Sequence, residues 1–340
     1  MTDWQRGYTA GWEVYEVNRD TWADGDRIDG ILSVDVNKSC TDTSPKLEEG
    51  SMDVMADSFG ARWCRIYMTA EQAGIERHPI ATLLFESASS RFDHQARTIK
   101  AEGRSVLQPA ADVKMTRGSF AAKGTDGAAF AGRLIASCTP APVTVEGSFM
   151  LGDDVVFDIG STNLDAAWML LDAGGWCMQI DGRGEIHIRK KPDQPALELS
   201  GANVGLLIPG VDDEFDISEV PNRYIAIDDD NVEIATNEDP ESATSYQSRG
   251  RWVDELDESP VLIDGEALAV YAQRKLSEKS TVTRTYRYQR EYLPDLNLYD
   301  LVRATVPENG IEGVLRVRSQ DLQCEHGVVV TEAVEEEVSL

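Results

Sequence analysis

Apolar and polar residues alternate with a period of two through much of the first hundred positions. Leu32, Val34 and Val36 alternate with Ser33, Asp35 and Asn37, the pattern of a half-buried strand. Trp12 with Val14, and Met52 with Val54, begin similar runs. From Arg62 to Met68, Cys64, Ile66 and Met68 fall on one face and Trp63, Arg65 and Tyr67 on the other. Two further strands are predicted around 81–87 and 97–102. Turn signals at Asp24-Gly25, Asp29-Gly30, Ser44-Pro45 and Glu49-Gly50 separate the runs. Short strands at this spacing predict a small antiparallel barrel or sandwich.

The period changes in the middle third. An Ala- and Gly-rich stretch from Gly118 to Gly132 leads into Leu134-Ile135-Ala136, which reads as the end of a short helix. Val155–Phe157 reads as a strand. Thr162 with Asp165 three residues on makes a capping box, Leu164, Trp168 and Leu171 follow at helical spacing, and Gly174-Gly175 stops the run. A hairpin comes next: Trp176, Met178 and Ile180 alternate, Asp181-Gly182 turns, and Ile186 and Ile188 return.

Strands return in the last third, at 224–227, 232–235, 280–292, 298–306, 314–317 and 328–334, with a helix over 264–279 carrying Leu268, Tyr271, Ala272, Lys275 and Leu276 at helical spacing. In the 280–292 strand Thr281, Thr283 and Thr285 share one face. Tyr286, Tyr288 and Tyr292 share the other with Arg284 and Arg290, which suggests a face that meets a partner rather than water. The predicted class is therefore β-rich α+β: a first barrel-like unit at 1–105, an α+β middle at 106–200 (helix 163–173, hairpin 176–190), and a second barrel-like unit at 201–340.

Composition narrows what such a chain does. The 340 residues carry 60 acids against 32 bases, a formal charge of −28. A surface this acidic repels a phosphate backbone, so specific nucleic-acid binding is not expected. Sixteen acids but only three bases (Arg223, Arg249, Arg251) lie between Val211 and Glu258. Cys40, Cys64, Cys138, Cys177 and Cys324 form no CxxC pair, which fits assembly in a reducing cytoplasm. Neither a secretory signal peptide nor a membrane span is predicted.

Catalytic and ligand-binding patterns are missing. His78, His94, His187 and His326 offer no zinc spacing, and His187, in a hairpin strand, reads as a packing or surface residue. Neither GxSxG nor a Walker-type phosphate loop occurs, and Gly182-Arg183-Gly184 is an incomplete dinucleotide motif in a hairpin turn. The Asp20, Asp24 and Asp26 cluster fails as an EF-hand, because Trp22 stands where an oxygen ligand is required. Asp228-Asp229-Asp230, before Asn231, reads as a charged turn with a bound cation as the sharper alternative. No catalytic, cofactor-binding or metal-binding residue, and no cofactor, is expected.

From Val220 onward an ordered set of motifs stands out. It comprises Val220-Pro221-Asn222, Asn237-Glu238-Asp239-Pro240 through Ser242 to Ser245, Arg249-Gly250-Arg251, the helix, Leu293-Pro294-Asp295-Leu296, and Tyr299-Asp300-Leu301-Val302. With Ser161-Thr162-Asn163-Leu164, Gly174-Gly175-Trp176 and Asp181-Gly182-Arg183-Gly184, the set resembles the hub proteins of tailed-phage tails and baseplates. Tyr299 departs from that pattern, which often carries Gly there. The resemblance implies a non-enzymatic homotrimer at the virion tail tip, assembled in the host cytoplasm. Two similar barrels per subunit would form an annulus between the hexameric tail tube, or a distal tail protein, and the tip, fibre or spike. DNA and the tape measure protein would occupy the lumen. Two other functions compete, a tip protein with cell-wall-degrading activity and the hub of a contractile injection system. A carbohydrate-binding sandwich, cued by Trp4, Trp12 and Trp22, is a further one.

Overall fold

The computed structural model describes residues 8–40, 46–72, 74–93, 96–200, 207–214, 218–228, 231–280, 284–307, 310–325 and 328–338. The N-terminal strands are β1 (Thr9–Val17), β2 (Asp24–Arg27), β3 (Ile31–Ser39), β4 (Glu48–Met55), β5 (Arg62–Glu71), β6 (Ile75–Asp93) and β7 (Ala96–Arg104). The middle holds α1 (Gln108–Asp112), β8 (Ser119–Ala121), α2 (Gly127–Ala136), β9 (Val143–Val145), β10 (Val155–Phe157), α3 (Asn163–Ala173), β11 (Trp176–Ile180) and β12 (Ile186–Lys190). There follow β13 (Pro195–Ser200), β14 (Leu207–Glu214), β15 (Arg223–Asp228), β16 (Asn231–Thr236), α4 (Tyr246–Arg249), β17 (Asp254–Asp257), α5 (Leu268–Ser280), β18 (Thr285–Glu291), β19 (Leu301–Val306), β20 (Ile311–Glu325) and β21 (Val328–Val338).

The β-rich α+β class is as the sequence predicts, but the two barrels are not. Among the described residues most strands of both ends form one open 13-stranded sheet, ordered β14-β18-β21-β20-β3-β4-β7-β6-β5-β1-β2, with β19 and then β13 branching from β20, while β16-β15-β17 form a separate sheet. The join is β3 against β20, seven antiparallel pairs from Ser33–Glu325 to Ser39–Ser319. Two strand edges that closure would have paired within each end instead satisfy one another's backbone groups. The core follows the join: Leu322 and Cys324 of β20 pack with Val34, Val36, Met52, Ile66 and Leu83.

Alternation in β3 and β4 buries Val34, Val36, Met52 and Val54, as the period-two pattern requires. β5 differs, because Trp63, Arg65 and Tyr67 are buried as well as Cys64, Ile66 and Met68. Its second face is covered by residues from the middle of the chain. The tyrosine-bearing face of β18 is also turned inward. Tyr286, Tyr288, Arg290 and Tyr292 are all buried in this chain's own core, and Arg284 alone of that face is exposed.

In the middle, the Thr162 hydroxyl accepts from Asp165 N at 3.0 Å while the Asp165 carboxylate accepts from Thr162 N at 3.3 Å, completing the capping box. Such a cap is worth about 1 kcal/mol. Asp126 caps α2 by accepting from Ala128 and Ala129 N. β12 pairs antiparallel with β11 and parallel with β9, giving a three-stranded sheet that the hairpin pattern alone did not reveal.

α5 begins at Leu268 rather than 264, because the preceding residues turn with Glu266 N donating to Ile263 O. Its Lys275 is buried and donates to Asp172 Oδ2 at 2.8 Å, tying α5 to the end of α3. Partial burial pushes the Asp172 carboxyl up, but the ammonium groups of Lys275 and Lys191 outweigh it and hold it below its ordinary value. A depressed carboxyl stabilises the fold above its unfolded pKa of about 4 and loses that contribution as pH falls through the folded value. Asp172→Asn is therefore expected to destabilise the protein at pH 7 and to make little difference near pH 2, measured by urea unfolding at both pH values.

Candidate interaction surfaces

The side chains that notice their surroundings most are gathered at the tip of the β11–β12 hairpin. Arg65, 2% exposed, donates from Nε to Thr82 Oγ1 at 3.0 Å and from Nη1 to Asp24 Oδ1 at 2.6 Å. Its Nη2 reaches Trp22 O at 3.2 Å and Arg183 O at 2.9 Å. Trp22 Nε1 also donates to Arg183 O, and the Thr82 hydroxyl to Gly182 O at 3.1 Å. Asp181-Gly182-Arg183-Gly184 is thus a latch holding the middle of the chain onto β5 and β6. Asp24, a member of the acidic 20–29 cluster, is engaged by Arg65 and by the Tyr67 hydroxyl at 2.7 Å.

The motifs between Val220 and Arg251 converge on one loop framework. Asn222 is fully buried; its Nδ2 donates to Thr244 O and Arg251 O, and its Oδ1 accepts from Val253 N. Asn237 Oδ1 accepts from Asp239 N, Asp239 Oδ1 from Glu241 N, and Asn237 Nδ2 donates to Ser242 Oγ. Ser245 caps α4, and Arg249 donates to Val220 O at 2.6 Å. Tyr299, where the resembled family often has Gly, sits at φ 69°, the left-handed region that favours glycine.

Tyr224 and Tyr271 both donate to Asp257 Oδ2, at 2.9 and 2.6 Å. Burial first, and then the carboxylate, push both phenols up, so they act as fixed donors that join α5 to the β15–β17 sheet. The five cysteines are free thiols, and burial pushes Cys64, Cys177 and Cys324 up to about 12. A thiol held protonated is a poor nucleophile.

His78 lies 3.7 Å from Glu76, and His187 stands among Asp181, Glu185 and Glu146. His94, His326, Asp229, Asp230 and Trp4 lie outside the described residues. Trp22 packs edge-on against Trp63 at 5.4 Å, and Trp12 is half-buried against the N-terminal core.

Two apolar faces remain exposed. On the β16-β15-β17 sheet, Ile234, Ile225 and Leu256 stand in one cross-strand row beside the Val232–Ile227 pair. Val232, Ile234 and Leu256 are each more than half exposed, and the Arg223–Asp254 ion pair lies on the same face. The opposite face of this sheet packs on α5 through Tyr224, Ala226 and Ala235. A second face lies on β8–β10, where Phe120 and Val156 pair directly and are 61% and 69% exposed, near Ile159 at 73%. Monomeric soluble proteins seldom leave apolar rows of this kind uncovered.

An open mixed sheet joining both chain ends, with a latched α+β middle, defines a β-rich α+β fold. Solved structures place that architecture among tail proteins. The tail protein from Neisseria meningitidis MC58 is similar over 96% of this chain and 97% of its own, with 16% identity and a TM-score of 0.67. The 43 kDa tail protein of prophage MuSo2 from Shewanella oneidensis matches over 97% of both chains, at 12% identity and a TM-score of 0.66. An E. coli component of the type VI secretion system, described as similar to T4 bacteriophage tail proteins gp27 and gp5, matches over 91% of this chain and 74% of its own, at 8% identity and 0.52. No protein-family model matches the chain, and no curated protein matches it by sequence. The chain has the tail-protein fold, in agreement with the hub resemblance of its motifs.

Proposed function

We propose that the protein is a structural hub of a tail tip, without catalytic activity, that closes a homotrimeric ring with copies of itself. The single observation that carries this reading is the likeness to tail proteins along almost the whole chain. In this proposal the units 1–105 and 201–340 face the annulus and 106–200 braces them. The ring joins the tail tube, or a distal tail protein, above to tip, fibre or spike proteins below. The tape measure protein and then DNA pass through it.

The Phe120–Val156 row of one copy, set against the Ile225–Ile234–Leu256 face of the next, gives a head-to-tail contact of the kind that closes rings. Acids left lining the lumen would let duplex DNA, one charge per about 1.7 Å of axis, slide without adhering.

Light scattering on the purified protein tests the proposal. The expected mass is three times 37.5 kDa. Ile234→Glu with Leu256→Glu is expected to return it to the monomer mass with its unfolding midpoint nearly unchanged, since both side chains are solvent-facing. A wild-type monomer at high concentration and in the presence of its tail-tube neighbour would end the ring proposal.

A further inference from the structure

We propose that Asp181, Glu185 and His187, at the mouth of the latching hairpin, form a site for one divalent transition cation of the zinc type. The inference is independent of the hub reading. Donor atoms of these three half-buried side chains all lie within 4.8 Å of one another, and they are the one such group among the described residues. Each is held by a partner that leaves another donor atom or lone pair free. Asp181 Oδ1 accepts from Glu185 N at 2.9 Å, which leaves Oδ2 turned toward His187 Nε2 at 3.9 Å. The Thr144 hydroxyl on β9 donates to Glu185 Oε1 at 2.7 Å. Glu146, just beyond β9, places Oε1 3.3 Å from His187 Nδ1.

That last contact is what separates the cluster from an ordinary acidic turn. A metal-bound imidazole usually donates its other N–H to a carboxylate, which fixes the ring and its tautomer. Here the carboxylate comes from a different strand and aims Nε2 at Asp181. Metal–ligand distances of about 2.0–2.2 Å set donors roughly 3.4 Å apart in a tetrahedron, so side-chain rotation of under about 1 Å closes the site, with water as the fourth ligand. The imidazole disfavours calcium and magnesium, which take oxygen ligands, and favours zinc. Arg189, 3.9 Å from Glu146 Oε2, lies on the outer carboxylate rather than among the ligands. A bound ion would clip the mouth of the hairpin whose tip holds the middle of the chain to β5 and β6.

Calorimetric titration of the full chain with zinc chloride tests this, with magnesium chloride as comparator. About one zinc per chain is expected, with a rise in Tm, because a ligand that binds only the folded state stabilises it. His187→Ala is expected to lose at least tenfold in zinc affinity together with the Tm rise. Glu146→Gln, which keeps all three ligands, should weaken binding by about tenfold. His78→Ala and Cys138→Ser should leave it unchanged, and metal-free Tm values establish that each variant is folded. Absence of zinc uptake by the wild type at millimolar metal, or a folded His187→Ala that binds as tightly as the wild type, overturns the assignment.

Discussion

Replacing Lys38 by Met is expected to destabilise the protein by about 3–5 kcal/mol at pH 7, because it strands a buried carboxylate. Lys38 and Glu48 stand directly opposite on β3 and β4, with side chains 2% and 1% exposed, and their charged groups are 3.2 Å apart. Lys38 Nζ also donates to Ile80 O at 2.6 Å, and its other cross-strand neighbour is the buried Gln320 of β20. The pair therefore lies beside the seam where the two ends of the chain meet. Burial pushes the Glu48 carboxyl up to about 6, against the opposing pull of Lys38. A carboxyl whose folded pKa lies above its unfolded value favours the folded state at acid pH, and that contribution fades as pH rises through about 6. Without Lys38 the shift grows, so Lys38→Met should cost less at pH 5 than at pH 7. Adding Glu48→Leu to Lys38→Met should recover most of the loss, since a buried pair exchanged for apolar groups is often neutral. Urea unfolding of the wild type, the single variant and the double variant measures this; a single variant as stable as the wild type at pH 7 would refute it.

Gly182→Ala is expected to cost about 3 kcal/mol or more, and to do so by unlatching the hairpin. A Cβ at this position would sit 2.0 Å from Pro79 O and 2.4 Å from Pro79 C, both backbone atoms that cannot rotate aside. The tip must lift, and with it go the bonds from Arg65 and Trp22 to Arg183 O and from Thr82 to Gly182 O. Gly118→Ala is the control: no atom lies within 4 Å of its Cβ, and its expected effect is within about 0.5 kcal/mol. Limited proteolysis should show cleavage between 105 and 195 rising in Gly182→Ala and staying at the wild-type level in Gly118→Ala. Equal stability of the two variants would remove the latch from the account.

Neither prediction is legible in the sequence. Asp181-Gly182-Arg183-Gly184 reads there as a hairpin turn, which it is, and its glycines look like ordinary turn glycines. Only Pro79 and Thr82, a hundred residues earlier, explain why position 182 admits no side chain. Lys38 falls in phase with Val34 and Val36 on the buried face of β3, but nothing local announces that Glu48 and Gln320 flank it there. The hub motifs are legible as an ordered string, yet what those between Val220 and Arg251 do together, caging Asn222 and shaping the Asn237–Ser245 loop, needs the bonds among them. Tyr299 was visible as a departure from glycine, and its positive φ gives the reason.

What the sequence determined by itself is the set of elements whose causes lie within a few residues of one another. α3 with its Thr162–Asp165 capping box, the β11–β12 hairpin with its Asp-Gly turn, and the alternation of β3 and β4 are of this kind. Period, cap and turn chemistry act over one or two turns of chain, so a local reading captures them. The tertiary structure alone decided which strands became neighbours: β3 with β20 in place of two closed barrels, β9 parallel to β12, and β18 buried between β14 and β21. A strand edge offers the same N–H and C=O groups to any partner, and the choice among partners is made by the apolar surface that distant segments bury together.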